Sequence, residues 1–175
     1  MQKYNIFWRR FWANVIDAFV IYPFTFLDRY VNPSNTHKVT LIAWLIFSNA
    51  ILFIYSIYFH GRFGQTLGKM ATKIKVLDVS EERIPNYLQA FQREIIYIFL
   101  TVISLINTFY LIYLQSYSPE AEFDSKIGQI VLLSTLGCLI IEFITMFFNL
   151  KSRALHDFIA GTVVIQNEQK LLKNS

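Results

Sequence analysis

Charged side chains are scarce in this chain of 175 residues. Asp, Glu, Lys and Arg together make up 16% of it, against about 25% in soluble domains. Apolar residues make up 54% and aromatic residues 17%. A soluble domain of this length would have difficulty covering so much apolar surface. The composition therefore argues against a soluble protein and predicts an integral membrane protein, with the lipid bilayer as its first partner.

Thiol and imidazole groups are also scarce. The single cysteine, Cys138, excludes an internal disulfide. His156 lies beside Asp157, but no second His or Cys is close to it in sequence, so a structural zinc site is not expected. His60 could approach this pair in space, which the sequence alone does not decide. We expect no metal and no cofactor.

Long apolar segments take up much of the chain. Four are long enough for a membrane-spanning helix, which takes about 20 residues. They cover residues 11–30, 40–59, 95–113 and 127–148. Pro23 is expected to kink the first, because its ring removes a helical hydrogen bond. The segments predict an all-α membrane protein with four transmembrane helices.

Lys and Arg are distributed unevenly between the connecting loops. With the N-terminus inside, the inner segments hold 13 of these residues and the outer loops hold 3. Cytoplasmic loops carry an excess of positive charge. The distribution predicts that both termini are cytoplasmic, in the inner (plasma) membrane of a bacterial cell.

The inner loop between the second and third segments has a pattern of its own. Apolar residues recur at helical spacing from residue 63 to residue 74, with lysines on the other side. This predicts a helix at the cytoplasmic interface, with Lys69 and Lys73 near anionic lipid headgroups. Residues 73–79 then alternate like a strand, and residues 162–166 are also strand-like. We expect the two stretches to pair as a small β-ribbon, which completes an interfacial segment over residues 63–79.

The glycines of this loop invite comparison with a phosphate-binding loop. Only three residues separate Gly64 from Gly68, where that motif has four, and Met70 follows Lys69 where Ser or Thr is required. Nucleotide binding is therefore not expected. The glycines are better explained as positions where the backbone turns sharply out of the membrane.

Two carboxylates lie within the predicted spans. Asp17 follows Arg10 by seven residues and Glu142 precedes Asn149 by seven, which places each about 10 Å from the inner end of its helix. A carboxylate at that depth either marks an ion or proton pathway or pairs with a cation and fixes helix packing. Arg10 and Arg153 are the candidate partners of Asp17. Glu142 has no obvious partner on its own helix.

Three short blocks resemble the RDD family of membrane proteins. Residues 10–17 are similar to its Arg-x-x-Ala-x-x-x-Asp start, and residues 64–69 are similar to its Gly-x-Thr-x-Gly-Lys block. Residues 153–164 resemble its closing block. The resemblance covers residues 8–166, in one membrane domain of residues 1–166, and leaves residues 167–175 as a polar tail.

The family resemblance has limited functional implications. The arginine and two aspartates that give the family its name map to Arg10, Asp17 and Asp157, whereas Glu142 maps to no motif. Transport is suggested for the family, with sodium/proton antiport in some members. Other members look like accessory factors of membrane complexes.

We predict a charged cluster near the cytoplasmic ends of the helices, with the glycine-containing block capping it. The cluster comprises Arg10, Asp17, Arg93, Glu142, Arg153, His156 and Asp157, and the interfacial motif comprises Gly64, Thr66, Gly68 and Lys69.

Two functions remain open. In one, the chain transports ions or small solutes, for example by cation/proton exchange through Asp17 and Glu142. Four helices without an inverted repeat would then need a homo-oligomer. In the other, the chain is a non-transporting scaffold or assembly factor for a membrane-protein partner, and the charged cluster is structural. No nucleophile–base pair is visible at suitable spacing, so an enzyme is not expected. A nucleic-acid partner is not expected either.

Overall fold

The computed structural model describes residues 4, 6–25, 27, 37–117 and 126–167. The described residues form six helices and two strands. In chain order these are α1 (Phe7–Thr25), α2 (Lys38–Phe63), α3 (Leu67–Ala71), β1 (Ile74–Asp78), α4 (Tyr87–Tyr117), α5 (Lys126–Phe148), α6 (Leu155–Ile159) and β2 (Thr162–Gln166). The predicted polar tail lies outside the described residues, except for Asn167.

Within the described residues, three stretches of helix are long and apolar enough to cross a membrane. They are Val39–Phe63 in α2, Tyr87–Tyr113 in α4 and Gly128–Phe148 in α5. α1 is not among them; it has 19 residues and includes Arg9, Arg10 and Asp17. The mostly helical fold is confirmed, and the fourth crossing stays a prediction.

Two helices begin earlier than their apolar runs suggest. α1 begins at Phe7 rather than at residue 11, and α4 begins at Tyr87 rather than at residue 95. An apolar run marks the part of a helix suited to lipid, but Arg, Gln and Glu also have good helix propensity and extend the first turns. Arg10 and Arg93 therefore lie inside helices. The predicted end of the first segment, residue 30, lies outside the described residues.

The interfacial segment contains a helix of only five residues, α3. Gly64 ends α2 in the left-handed conformation (φ 70°), where glycine has no steric penalty, and its N–H donates to the His60 carbonyl. The helix expected from residue 63 to residue 74 is thus interrupted. Lys69 is buried, with 8% of the residue exposed, so the expectation that it faces lipid headgroups is wrong.

The predicted β-ribbon is confirmed. β1 and β2 pair antiparallel, from Ile74 opposite Gln166 to Asp78 opposite Thr162. The ribbon is not isolated, because Ile74 and its neighbours form a buried core with Ile6 and Ala13 of the N-terminal region. We call the end of the molecule that carries these strands the ribbon side.

α3 packs directly against α1 through two small residues. Ala13 is fully buried. A Cβ atom added to Gly68 would lie 2.1 Å from the Ala13 carbonyl oxygen and 2.8 Å from Asp17 Cγ. Only a glycine at position 68 permits this approach, since backbone atoms of α1 cannot move aside as a flexible side chain could.

Gly68→Ala is accordingly expected to lower the melting temperature of the purified protein in detergent. Overpacking of this kind typically costs about 1–3 kcal/mol. Gly137→Ala is the matched control, since a Cβ there meets nothing within 4 Å and alanine favours the helix. Equal melting temperatures for the two variants would contradict the close α1–α3 contact.

Candidate functional site

Asp17 accepts hydrogen bonds from neutral donors around the start of α3. Its Oδ1 accepts from the Gly68 N–H and from the Tyr55 hydroxyl, each at 2.8 Å. Its Oδ2 accepts from the Thr66 hydroxyl at 2.6 Å. Thr66 is itself the N-cap of α3. The carboxylate of α1 thus satisfies donors at the start of another helix, which an anion does favourably.

Arg10 pairs with Asp157 rather than with Asp17. Its Nη2 lies 2.8 Å from Asp157 Oδ2, and Arg93 Nη1 donates to Asp157 Oδ1 at 2.5 Å. The Arg10 contact is an ion pair without hydrogen-bond geometry, because neither Nε nor Nη2 of Arg10 has a hydrogen-bond partner among the described residues. Arg10, one of the two candidate partners of Asp17, therefore pairs with a different carboxylate. We call these three residues the Arg–Asp–Arg triad.

Asp157 is fully buried at the centre of the triad. Its Oδ2 also accepts from the Ala154 N–H at 3.1 Å, which stabilises the start of α6. Burial alone would raise the pKa of Asp157, but the guanidiniums of Arg10 and Arg93 outweigh burial and hold this pKa well below its usual range. The carboxylate is therefore charged and locks α1, α4 and α6 together.

Arg153 is not a partner of Asp17 either. Its Nε donates to the Thr162 carbonyl and its Nη2 to the Asp157 carbonyl, each at 2.9 Å. The guanidinium also lies 4.2 Å from the centroid of the Phe158 ring. Arg153 therefore connects α6 to β2 and bonds to backbone carbonyls there.

Glu142 has a partner from outside its own helix. His156 Nδ1 lies 2.5 Å from Glu142 Oε1, and His156 Nε2 lies 3.5 Å from Asp157 Oδ1. Tyr97 of α4 lies near Glu142. A chain of polar groups, Tyr97–Glu142–His156, thus extends from α4 to the triad on the ribbon side.

A second polar chain begins at Lys69. Its Nζ lies 2.5 Å from His60 Nε2, and His60 Nδ1 lies 2.8 Å from the Ser56 carbonyl. The Ser56 hydroxyl donates to Glu94 Oε1 at 2.5 Å. The chain Lys69–His60–Ser56–Glu94 therefore links α3, α2 and α4.

Both chains of polar groups, together with Asp17, line one cavity of about 370 Å³ between α1, α2, α4 and α5. Its wall combines charged groups with uncharged oxygen and nitrogen groups. The polar lining residues are Asn14, Asp17, Tyr55, Ser56, His60, Thr66, Lys69, Arg93, Glu94, Tyr97, Glu142 and His156. The residues at the wall therefore offer both cation ligands and groups that can exchange protons.

Several of these residues were missed by reasoning from sequence. Glu94 directly precedes the apolar segment of residues 95–113, so it is not among the carboxylates expected within the spans. A signal was present, because Ser56 and His60 are four residues apart and Glu94 and Tyr97 are three apart, and each pair shares a helix face. Within the described residues, no group of three His, Cys, Asp or Glu side chains could hold a metal ion.

Comparison with known proteins gives one family. The family model described as RDD family matches residues 4–161. No match was found among curated proteins or among solved structures. The matched range contains the triad, both polar chains and every residue of the cavity wall.

Proposed function

The chain belongs to the RDD family of membrane proteins, and we propose that it exchanges a small cation for protons across the membrane through the polar cavity. The observation that carries the proposal is the convergence of Asp17, Glu94 and Glu142 on one cavity between apolar helices. Ionisable groups placed within a membrane protein in this way mark ion and proton pathways.

The charge of the wall favours a cation. Three carboxylates line the cavity against two cationic side chains, Lys69 and Arg93, so the formal charge is negative when the histidines are neutral. Arg93 is already engaged by Asp157 at 2.5 Å. Carboxylate and hydroxyl oxygens are the ligands that hard cations prefer.

The two polar chains supply routes for protons. His156 retains 20% side-chain exposure and contacts Glu142, which lines the cavity. A neutral imidazole has one nitrogen that donates and one that accepts, so it can relay a proton. The second chain connects Lys69 to Glu94 through His60 and Ser56. The first chain thus connects a partly exposed imidazole to a cavity carboxylate, and the second relays protons between two groups of the cavity wall.

A fourth membrane crossing by α1 belongs to the proposal. Arg9 Nη1 donates to the Thr72 carbonyl at 2.8 Å and the Tyr4 hydroxyl donates to Glu81 at 2.6 Å, so the start of the chain lies on the ribbon side. α2, with 26 residues, extends about 39 Å away from that side. This arrangement supports a crossing by the chain before Lys38, and the lysine and arginine distribution supports a cytoplasmic ribbon side.

The test is cation movement in liposomes that contain the purified protein. An imposed proton gradient is expected to drive sodium or potassium against its own gradient, because the two ions share the cavity. Empty liposomes give the leak, and Glu82→Gln, which changes an exposed carboxylate, is the protein control. No movement of either ion by folded protein would reject transport and favour the non-transporting scaffold or assembly factor.

A further inference from the structure

Lys69 has an unusual environment for a lysine. The residue is 8% exposed, and its Nζ forms no ion pair with a carboxylate among the described residues. Its nearest polar partner is a nitrogen base, His60 Nε2, at 2.5 Å. Buried ammonium groups are normally paired with an acid. This amine instead lines the cavity that contains the three carboxylates.

His60 is oriented to accept a proton from this amine. Its Nδ1 lies 2.8 Å from the Ser56 carbonyl, which can only accept, so Nδ1 carries the ring proton. The Nε2 atom of the neutral ring then presents its lone pair to Lys69. The two nitrogens share one proton, because two cations at this distance would repel each other strongly.

Other charged groups surround the Lys69–His60 pair on every side. They are Arg10 and Asp17 from α1, Arg93 and Glu94 from α4, Glu142 from α5, and His156 and Asp157 from α6. Burial, followed by the guanidiniums of Arg93 and Arg10, lowers the pKa of Lys69 from 10.5 to about 7. Asp157 and Glu94 oppose this effect only in part. The amine therefore gains or loses its charge near neutral pH.

We propose that the ammonium of Lys69 is the resident cation of the cavity and that its proton is the one exchanged for the transported ion. When a sodium or potassium ion enters, the N–H bond of the ammonium breaks and the amine keeps the electron pair. The proton passes to His60 Nε2, His60 Nδ1 gives its own proton to the Ser56 hydroxyl, and the hydroxyl gives its proton to Glu94, which releases it to water in the cavity. One positive charge replaces another, so the exchange at this site is one for one and electroneutral. This inference rests on the proposed function.

The test compares the pH dependence of cation flux in Lys69→Gln, Lys69→Arg and wild-type proteoliposomes. For the wild type, the KM for the cation is expected to rise about tenfold for each pH unit below about 7, because one proton competes with one cation. Lys69→Gln removes the competitor, so its KM is expected to become nearly independent of pH. Lys69→Arg keeps a permanent cation in place, and its flux is expected to be lost.

Lys73→Gln is the matched control, because Lys73 is exposed on the same loop and should behave as the wild type. All variants are compared at equal amounts of monodisperse, inserted protein. If Lys69→Gln moves cations with the wild-type pH dependence, Lys69 is not the exchanged proton carrier, although the proposed function stands. If the wild-type protein moves no cation, the proposed function fails and this inference fails with it.

Discussion

Asp157→Asn is expected to remove most of the folded protein from the membrane. The substitution leaves the guanidiniums of Arg10 and Arg93 buried without a counter-charge, since both bind the Asp157 carboxylate at 2.8 Å or less. Breaking a buried ion pair from one side costs about 3–5 kcal/mol. A cost of this size is a large share of the total stability of a small domain, about 5–15 kcal/mol.

The measurement is the yield and melting temperature of detergent-extracted protein. Asp78→Asn is the matched control. Asp78 accepts from the Ser80 N–H and Gln89 side chain and pairs with the exposed Arg83, so no buried cation is left unpaired when its charge is removed. Equal losses for the two asparagine variants would contradict the structural role of the triad.

Glu142→Gln is expected to reduce cation flux at least about tenfold, while the amount of folded protein stays close to that of the wild type. Glutamine keeps the size of the side chain but removes the charge that faces the cavity. It also removes the proton acceptor beside His156, whose Nδ1 lies 2.5 Å from Glu142. Loss of one acid–base group typically costs about 10²–10⁴ in the rate of a proton-transfer step.

Flux is measured at equal amounts of inserted protein, with Glu82→Gln as the control for loss of a negative charge. Wild-type flux by Glu142→Gln would remove Glu142 from the pathway. Asp17→Asn is a less informative variant than its position suggests. The carboxylate of Asp17 holds Thr66 and Gly68 at the start of α3, so its loss is expected to lower stability and flux together.

The pairing within the charged cluster could not be read from the sequence. Arg10 and Asp17 share a helix face in α1, which made them natural partners. The structure instead brings Gly68 and Thr66 of α3 onto Asp17 and leaves Arg10 for Asp157, which is 147 positions away in the chain. Spacing along one helix defines a face, but which group meets that face depends on tertiary packing.

Sequence patterns predicted the structure correctly where the interactions that cause it act over a few neighbouring residues. The β-branched stretches paired as expected, because alternation and strand propensity act over a few residues. Glycine at position 64 was expected to turn the chain, and its positive φ does so at the end of α2. The Ser56–Glu94 contact was missed, since it depends on how α2 packs against α4. The blocks that resemble the RDD family contain Arg10, Asp17 and Asp157 of the cluster. The cavity could not be predicted, because it depends on how the helices pack.

Competition between a small cation and protons for the polar cavity is the core of the proposed function. It is tested most directly by adding sodium or potassium chloride to purified protein in weakly buffered detergent solution and following the pH. A saturable release of protons is expected, which is absent with choline chloride and strongly reduced in Glu142→Gln. A response to sodium and potassium no larger than the response to choline would contradict it.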